Sequence, residues 1–419
     1  MQSNYKPIGD YIQLVDERNK ELKVTTLLGL SISKEFISSV ANTVGTNMRN
    51  YKIIRKNQFA CSIMQVRRDG KMPVALLEDI EEAIISQAYP VFEIIDTEVL
   101  LPQYLMMWFS RSEFDRQATF HAVGGVRGSL EWEDFLAFEL PVPSIEKQRE
   151  IVKEYNVVKN RIKLNEQLNQ KLEETAQALY KHWFVDFEFP NEDGKPYKSS
   201  GGSMVYNDEL DKEIPEGWAP LLLKDLCQKI ASGATPKGGK QSYRTNGISL
   251  IRSMNVYDYN FLENNLAFID ENQAAKLKNV TIEAKDILFN ITGASVARCC
   301  IVPTQILPAR INQHVMLIRP KDKDTLNHYL LYNLCSNKSK KELVGVSEAG
   351  STRQAITKSE IENFKVLYPK NEVLLKFERS IEPIMKKGNN NTRLNNKLIR
   401  IQDLLLSRMA RFEEEKEIA

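Results

Sequence analysis

Several short segments of this chain carry residue types from which a reader of nucleic acid can be built. The turns Gly124-Gly125-Val126-Arg127-Gly128-Ser129 and Gly350-Ser351-Thr352-Arg353-Gln354 each deliver an arginine with small hydroxyls. An arginine so placed can fork onto a phosphate or onto the paired acceptors of guanine; a tight turn with an exposed arginine is the plainer alternative. Ile85-Ser86-Gln87 and Ile311-Asn312-Gln313 put amides or a hydroxyl on otherwise apolar strands. Glutamine and asparagine pair bidentately with adenine, although a satisfied core amide would look the same. Gly233-Ala234-Thr235-Pro236-Lys237-Gly238-Gly239-Lys240 is a basic loop, and Arg252, Ser253 and Asn255 lie together at a strand end. Arg298, after Asn290-Ile291-Thr292-Gly293, completes the inventory.

Catalytic signatures are missing. There is no dinucleotide-binding glycine fingerprint, no phosphate-binding loop, no nucleophile elbow and no Asn/Asp-Pro-Pro-aromatic motif of adenine methyltransferases. The histidines His121, His182, His314 and His328 are scattered singly and read as ordinary. Glu283-Ala284-Lys285 could end a nuclease carboxylate–lysine motif but lacks the upstream carboxylate context. The five cysteines show no metal-type spacing and read as reduced thiols of a cytoplasmic protein. Neither a secretory leader nor an apolar run long enough for a membrane span is legible. No active site, metal site or cofactor site is therefore expected.

The charge balance is nearly even, 57 basic residues against 55 acidic, so its distribution says more than its total. Arg49, Lys52, Arg55, Lys56, Arg67, Arg68 and Lys71 form a basic stretch broken by Asp69 alone. An acidic stretch follows, with Glu78, Asp79, Glu81, Glu82, Glu93, Asp96 and Glu98. A second basic stretch runs from Lys224 to Arg252. Solvated faces could produce such segregation; two basic binding faces are the sharper expectation, resting on Arg49, Lys52, Arg67 and Arg68 in the first.

The elements that must position these groups come in two copies. Asn165-Glu166-Gln167-Leu168-Asn169-Gln170-Lys171-Leu172 returns as Asn391-Thr392-Arg393-Leu394-Asn395-Asn396-Lys397-Leu398, an offset of 394 − 168 = 226 that also links Gln87 to Gln313 and Arg127 to Arg353. A repeat of this length is a domain plus a helix, far beyond a solenoid unit of about 20 to 50 residues. The spacing predicts a domain over 1–143, a long helix over 144–187, a connector over 188–217, a second domain over 218–369 and a second long helix over 370–415. Within the first domain, Gln103 to Phe120 reads as one amphipathic helix.

The first long helix carries a seam of Ile151, Tyr155, Val158, Ile162, Asn165, Leu168, Leu172, Thr175 and Leu179; the second repeats it as Phe377, Ile381, Ile384, Gly388, Asn391, Leu394, Leu398, Ile401 and Leu405. Both are heptads interrupted by a three-residue stammer. Each seam needs a partner, and antiparallel pairing of the two helices spares the connector a long return. Asn165 and Asn391 then fall at the seam midpoints, where they are expected to meet and fix helix register; solvent-facing asparagines are the alternative. Gly388 predicts a kinked or frayed second helix.

At these residues the chain resembles, along essentially its whole length, the specificity subunit of type I restriction–modification enzymes. The resemblance is carried by Gly233-x-Thr235-Pro236, by Arg252-Ser253-Met254-Asn255-Val256 and by the arginine turns at Arg127 and Arg353. It is carried further by the helix end Thr175-Ala176-Gln177-Ala178-Leu179-Tyr180-Lys181-His182-Trp183-Phe184-Val185-Asp186-Phe187 and by Ile214-Pro215-Glu216-Gly217-Trp218. The first domain departs from it: Gly-x-Thr-Pro is missing, and Ser31-Ile32-Ser33 stands where Arg-Ser-x-Asn is expected. The resemblance implies an α+β fold with two pseudo-symmetric target-recognition domains separated by a pair of long antiparallel coiled-coil helices. It implies a subunit without catalysis or cofactor, which reads a bipartite, asymmetric site in double-stranded DNA. Two methyltransferase subunits and, in the full complex, restriction subunits would be its partners, with S-adenosylmethionine and ATP chemistry left to them. A specificity module of a type II-like or stand-alone methylation system, and a non-catalytic coiled-coil scaffold, are the competing readings.

Overall fold

The computed structural model of the chain describes residues 5–39, 47–123, 128–349 and 354–409. These group into two compact units, Met1–Glu166 with Thr392–Ala419, and Gln167–Asn391.

The first unit is built on short apolar strands: β1 (Ile12–Val15), β2 (Lys52–Arg55), β3 (Phe59–Cys61), β4 (Val74–Leu76), β5 (Glu82–Ile85) and β6 (Val91–Ile94). An antiparallel sheet runs in the order β1, β6, β3, β4, while β2 pairs with β5. Phe59 and Phe92 stack on neighbouring strands at 5.0 Å, and Phe109 meets Phe59 edge-on at 5.9 Å, the geometries that aromatic quadrupoles favour. Short helices α1 (Val66–Asp69), α2 (Pro102–Phe109) and α3 (Ser112–His121) cover this sheet. The single helix expected from Gln103 to Phe120 is thus two. The Ser110 hydroxyl donates back to the Met106 carbonyl at 2.9 Å, and Arg111 takes an extended conformation between the helices.

The second unit is built on two larger sheets, beside three two-stranded ones. β7 (Cys227–Ser232), β8 (Ile248–Ile251), β9 (Ala267–Ile269), β10 (Ile287–Asn290), β11 (Cys299–Ile301), β12 (Ala309–Ile311) and β13 (Val315–Pro320) assemble as β7-β13-β10-β11 and as β9-β8-β12. β13 is buried along its whole length, as a central strand covered on both faces must be. It nevertheless carries Arg319, whose guanidinium grips fully buried Asp286 at 2.8 and 2.7 Å. Helices α4 (Asn327–Cys335) and α5 (Asn337–Ala349) follow. An aromatic cluster anchors the long helices in this core, with Phe184 4.7 Å from Tyr329 and 4.8 Å from Phe377.

The first long helix spans Ile145–Tyr180, 36 residues, roughly 54 Å at about 1.5 Å per residue. Ser144 caps it by accepting from the Lys147 amide at 3.4 Å. The second spans Asn371–Arg408 as one continuous helix through Gly388, so no fraying is found there. A Cβ built there would meet Asn169 Oδ1 at 3.9 Å, which places Gly388 in the seam. In the first unit Asn165 contacts Asn395 and Tyr155 contacts Gln402; in the second Asn169 contacts Asn391 and Tyr180 contacts Phe377. Within each unit the paired numbers run in opposite directions, so the helices are antiparallel.

The seam itself differs from expectation. Leu168, Leu394 and Ile401 are 40%, 37% and 45% exposed, while Asn165, Asn391 and Asn395 are buried. The buried face alternates steps of three and four without a stammer, because Asn169, Asn395 and Gln402 occupy seam positions that the neighbouring leucines and isoleucine were expected to fill. Polar residues are tolerated there because they satisfy one another. Asn165 Nδ2 donates to Asn395 Oδ1 at 2.7 Å, Asn391 Nδ2 to Asn169 Oδ1 at 2.9 Å and Gln402 Nε2 to Tyr155 Oη at 2.8 Å. Asn165 and Asn391 therefore each have a different partner from the one expected.

Candidate nucleic-acid interface

In the second unit the carboxyl ends of four strands converge on one turn. β12 ends at Asn312-Gln313-His314-Val315, where the Val315 amide donates to the Asn312 carbonyl at 3.2 Å and the His314 amide to Asn312 Oδ1 at 3.0 Å. This is a β-turn reinforced by its first side chain. β7 arrives through Gly233, where a Cβ would lie 2.0 Å from the Ile311 carbonyl oxygen; only glycine allows that approach. β8 delivers Arg252 and Ser253, with the Asn312 amide bonded to the Ile251 carbonyl at 3.0 Å. β10 delivers Thr292, and the Ile291 amide donates to the His314 carbonyl at 3.0 Å. Gln313 is exposed at the tip. Its Nε2 lies 3.0 Å from His314 Nε2, and His314 Nδ1 lies 2.7 Å from Thr292 Oγ1.

Thr235, Lys237 and Lys240 are exposed on the loop after Gly233, and neither lysine has a carboxylate partner among the described residues. The Arg298 guanidinium stacks on Tyr257 at 4.7 Å. Met254 and Tyr257 are exposed large side chains of the same unit. The Gly293 amide donates to the Gln354 carbonyl at 2.9 Å, joining the β10 end to the described edge of the second arginine turn.

The first unit repeats this frame. β5 ends at Ser86-Gln87-Ala88-Tyr89, with the Tyr89 amide on the Ser86 carbonyl at 3.1 Å and the Ala88 amide on Ser86 Oγ at 3.4 Å. Gln87, like Gln313, is exposed. Neither glutamine is a satisfied core amide, and neither stands on a strand: both tip turns. The Arg67 amide donates to the Gly128 carbonyl at 3.2 Å, and adding 226 to both numbers gives the Gly293–Gln354 bond. A Cβ on Gly128 would sit 2.5 Å from the Arg67 Cβ. Arg67 and Arg49 are exposed and have no carboxylate partner among the described residues.

Sequence comparison accounts for the doubled frame. The family model described as "Type I restriction modification DNA specificity domain" matches residues 50–174 and 215–401, well over half of the chain. This chain belongs to that family. It is 29% identical over 320 residues to the MjaIX type I restriction enzyme specificity subunit of Methanocaldococcus jannaschii, covering 75% of this chain and 70% of the relative. It is 24% identical over 411 residues to the HindI specificity subunit of Haemophilus influenzae, covering 85% and 86%. Its fold is similar to that of the crystallised type I S subunit of M. genitalium, with a TM-score of 0.58, 14% identity and coverage of 97% and 95%.

Against this family frame, several expected contact residues are otherwise engaged. Asn255 is fully buried: its Oδ1 accepts from the Arg252 amide at 3.1 Å and its Nδ2 donates to the Leu262 carbonyl at 2.9 Å. Its amide is spent on folding the strand end and cannot reach a base. Arg252 donates to the Asn265 carbonyl and lies over Tyr243 at 5.6 Å. Asn290 Nδ2 donates to the Ser253 backbone carbonyl at 2.9 Å, a bond that does not engage the Ser253 hydroxyl. Arg127 and Arg353 lie outside the described residues.

Part of the basic stretch of the first unit is paired with carboxylates, which leaves Arg49 and Arg67 as its exposed guanidinium groups without one among the described residues. β2 pairs with β5, setting Arg55 opposite Glu82, and Arg55 reaches Glu17 and Glu82 at 2.7 Å each. Lys56 reaches Glu81 at 2.8 Å, Lys52 reaches Asp16 at 3.5 Å, and Arg68 grips Asp69 at 2.6 and 3.0 Å. Basic and acidic stretches are segregated in sequence because they are adjacent strands in space. His314 and Thr292 were missed as functional candidates; the only available signal was the position of His314 beside a glutamine that recurs at the repeat offset.

Among the described residues no group of three or more histidine, cysteine or carboxylate side chains could hold a metal ion. No described helix is long and apolar enough to cross a membrane. All five cysteines are buried thiols; burial pushes Cys227 up to about 12, far from the thiolate that reactivity needs.

Proposed function

We propose that this chain is the DNA specificity subunit of a type I restriction–modification complex, acting in the cytoplasm and without catalytic activity of its own. Each unit reads one half of a split target in double-stranded DNA. The paired helices set the gap and dock two methyltransferase subunits, which restriction subunits join in the full complex. Family membership across both repeats supports this reading most strongly. The unequal furnishing of the two frames supports an asymmetric target, because different side chains on the same frame select different bases.

Arg49, Arg67, Lys237 and Lys240 supply phosphate contacts, and Gln87, Gln313 and Arg298 face base edges, with Thr235, Arg127 and Arg353 as further contacts. Partner enzymes act on an adenine flipped from the stack. The interlocked asparagines, Asn165 with Asn395 and Asn391 with Asn169, hold helix register.

The test is an electrophoretic titration of a random-sequence duplex at two salt concentrations. A steep salt dependence is expected, falling by about one unit of slope for each phosphate-binding lysine or arginine removed. A chain with no affinity for DNA at low salt would be a scaffold instead.

A further inference from the structure

We infer that His314 is a positioning residue that presets the Gln313 amide of the second unit to read adenine; the inference rests on the DNA-reading function proposed above. The amide nitrogen of a glutamine only donates, so His314 Nε2, 3.0 Å from it, accepts. The imidazole proton therefore sits on Nδ1 and is donated to Thr292 Oγ1 at 2.7 Å, which fixes the neutral tautomer. One Gln313 N–H is thereby turned inward. What faces solvent is the other N–H beside the carbonyl oxygen, one donor next to one acceptor. That pair complements the N7 acceptor and N6 donor of adenine in the major groove, and it mismatches guanine, which offers two acceptors there.

The lock has a second state. A protonated imidazole donates from both nitrogens, so Gln313 must turn its carbonyl inward and present both N–H groups outward. That pattern suits guanine. Both hydrogen-bond partners of the ring among the described residues, Thr292 and Gln313, are neutral. Among the charged groups on the flanking elements, Arg252 donates to the Asn265 carbonyl, and Lys237 and Lys240 are exposed on the Gly233 loop. Glu348 of α5 accepts from Gln354 at 3.1 Å, and Arg298 stacks on Tyr257. The first unit has no such device, since Val66 and Ala88 stand 226 residues before Thr292 and His314. Gln87 is therefore unlocked on the same turn.

The test uses the full-length chain, co-expressed with its methyltransferase partners, and a library of random-sequence duplexes whose bound members are sequenced. Wild-type protein at about pH 8 should select adenine at one position of one half-site, by about 5- to 150-fold over the other bases. His314→Lys, a permanent donor, should move that position alone toward guanine, and His314→Phe should flatten it. A His314→Phe profile unchanged at every position, or a His314→Lys profile that keeps the adenine preference, overturns the inference while leaving the proposed function intact. No enrichment of any sequence by the wild type would overturn both.

Discussion

The two units share a frame and differ in what they hang on it. In each, a short turn tips an exposed glutamine, and a neighbouring backbone amide grips the described edge of an arginine turn. The first unit sets Arg67 at that crossing, whereas the second sets Gly293 there and carries its free lysines on the Gly233 loop instead. Their internal electrostatics differ as well. The first unit tucks Lys34 against Asp115 at 2.8 Å and pairs Arg55 with Glu17 and Glu82 at the surface; the second buries an arginine on a carboxylate with no solvent exposure. Backbone geometry is thus what duplication has kept in common, and side chains at a few positions are where the copies have diverged.

The largest effect that sharpens this contrast is on stability. Arg319→Ala should cost about 3 to 5 kcal/mol, because it strands the buried Asp286 charge. Arg55→Ala should cost at most about 1 kcal/mol, as exposed pairs do. Urea unfolding of each variant measures both, and equal losses would erase the distinction.

A smaller effect tests the helix seam that both units share. Asn165→Leu should cost about 1 to 3 kcal/mol by leaving the buried Asn395 Oδ1 unsatisfied, and Asn391→Leu should cost less, since its partner Asn169 is only partly buried. Adding Asn395→Leu to Asn165→Leu should recover much of the loss while loosening register. Engineered-cysteine cross-linking along the helices would read that loosening, and a double variant with unchanged register would remove the role given to these asparagines.

The smallest effect is confined to the second unit. Glu173 is half-buried and accepts from Tyr332 Oη at 3.2 Å, and desolvation pushes its carboxyl above the ordinary range. A carboxyl raised on folding contributes its stability below the unfolded value and loses it as pH rises through the folded one. Glu173→Gln should therefore match or exceed wild-type Tm at about pH 8, by up to a few degrees, and lose that advantage near about pH 4. A variant less stable than wild type at pH 8 would contradict this.

The doubled architecture and the antiparallel helices were legible because repeats and heptads survive as patterns along a chain. The seam was misread where hydrophobicity and position part company: Leu168 and Leu394 look like core and face water, while Asn169 and Asn395 take the seam beside them. A polar residue becomes a good seam residue only once its partner is known, and that partner lies more than 200 residues away. The charge pairing within the first unit was illegible for the same reason, since Arg55 and Glu82 are separated in sequence and adjacent across two strands. Asn255 had the right chemistry for adenine, but its amide closes the turn behind Arg252. His314 carried no sequence signal beyond its neighbour, because its role depends on Thr292 arriving from another strand.

The division of reading between the two units is tested most directly by methylation profiling of genomic DNA from cells carrying this chain with its methyltransferase partners. A split motif with a fixed gap is predicted, in which Gln313→Ala relaxes a position in one half and Gln87→Ala relaxes a position in the other. A continuous motif, or a single substitution that alters both halves, would contradict it.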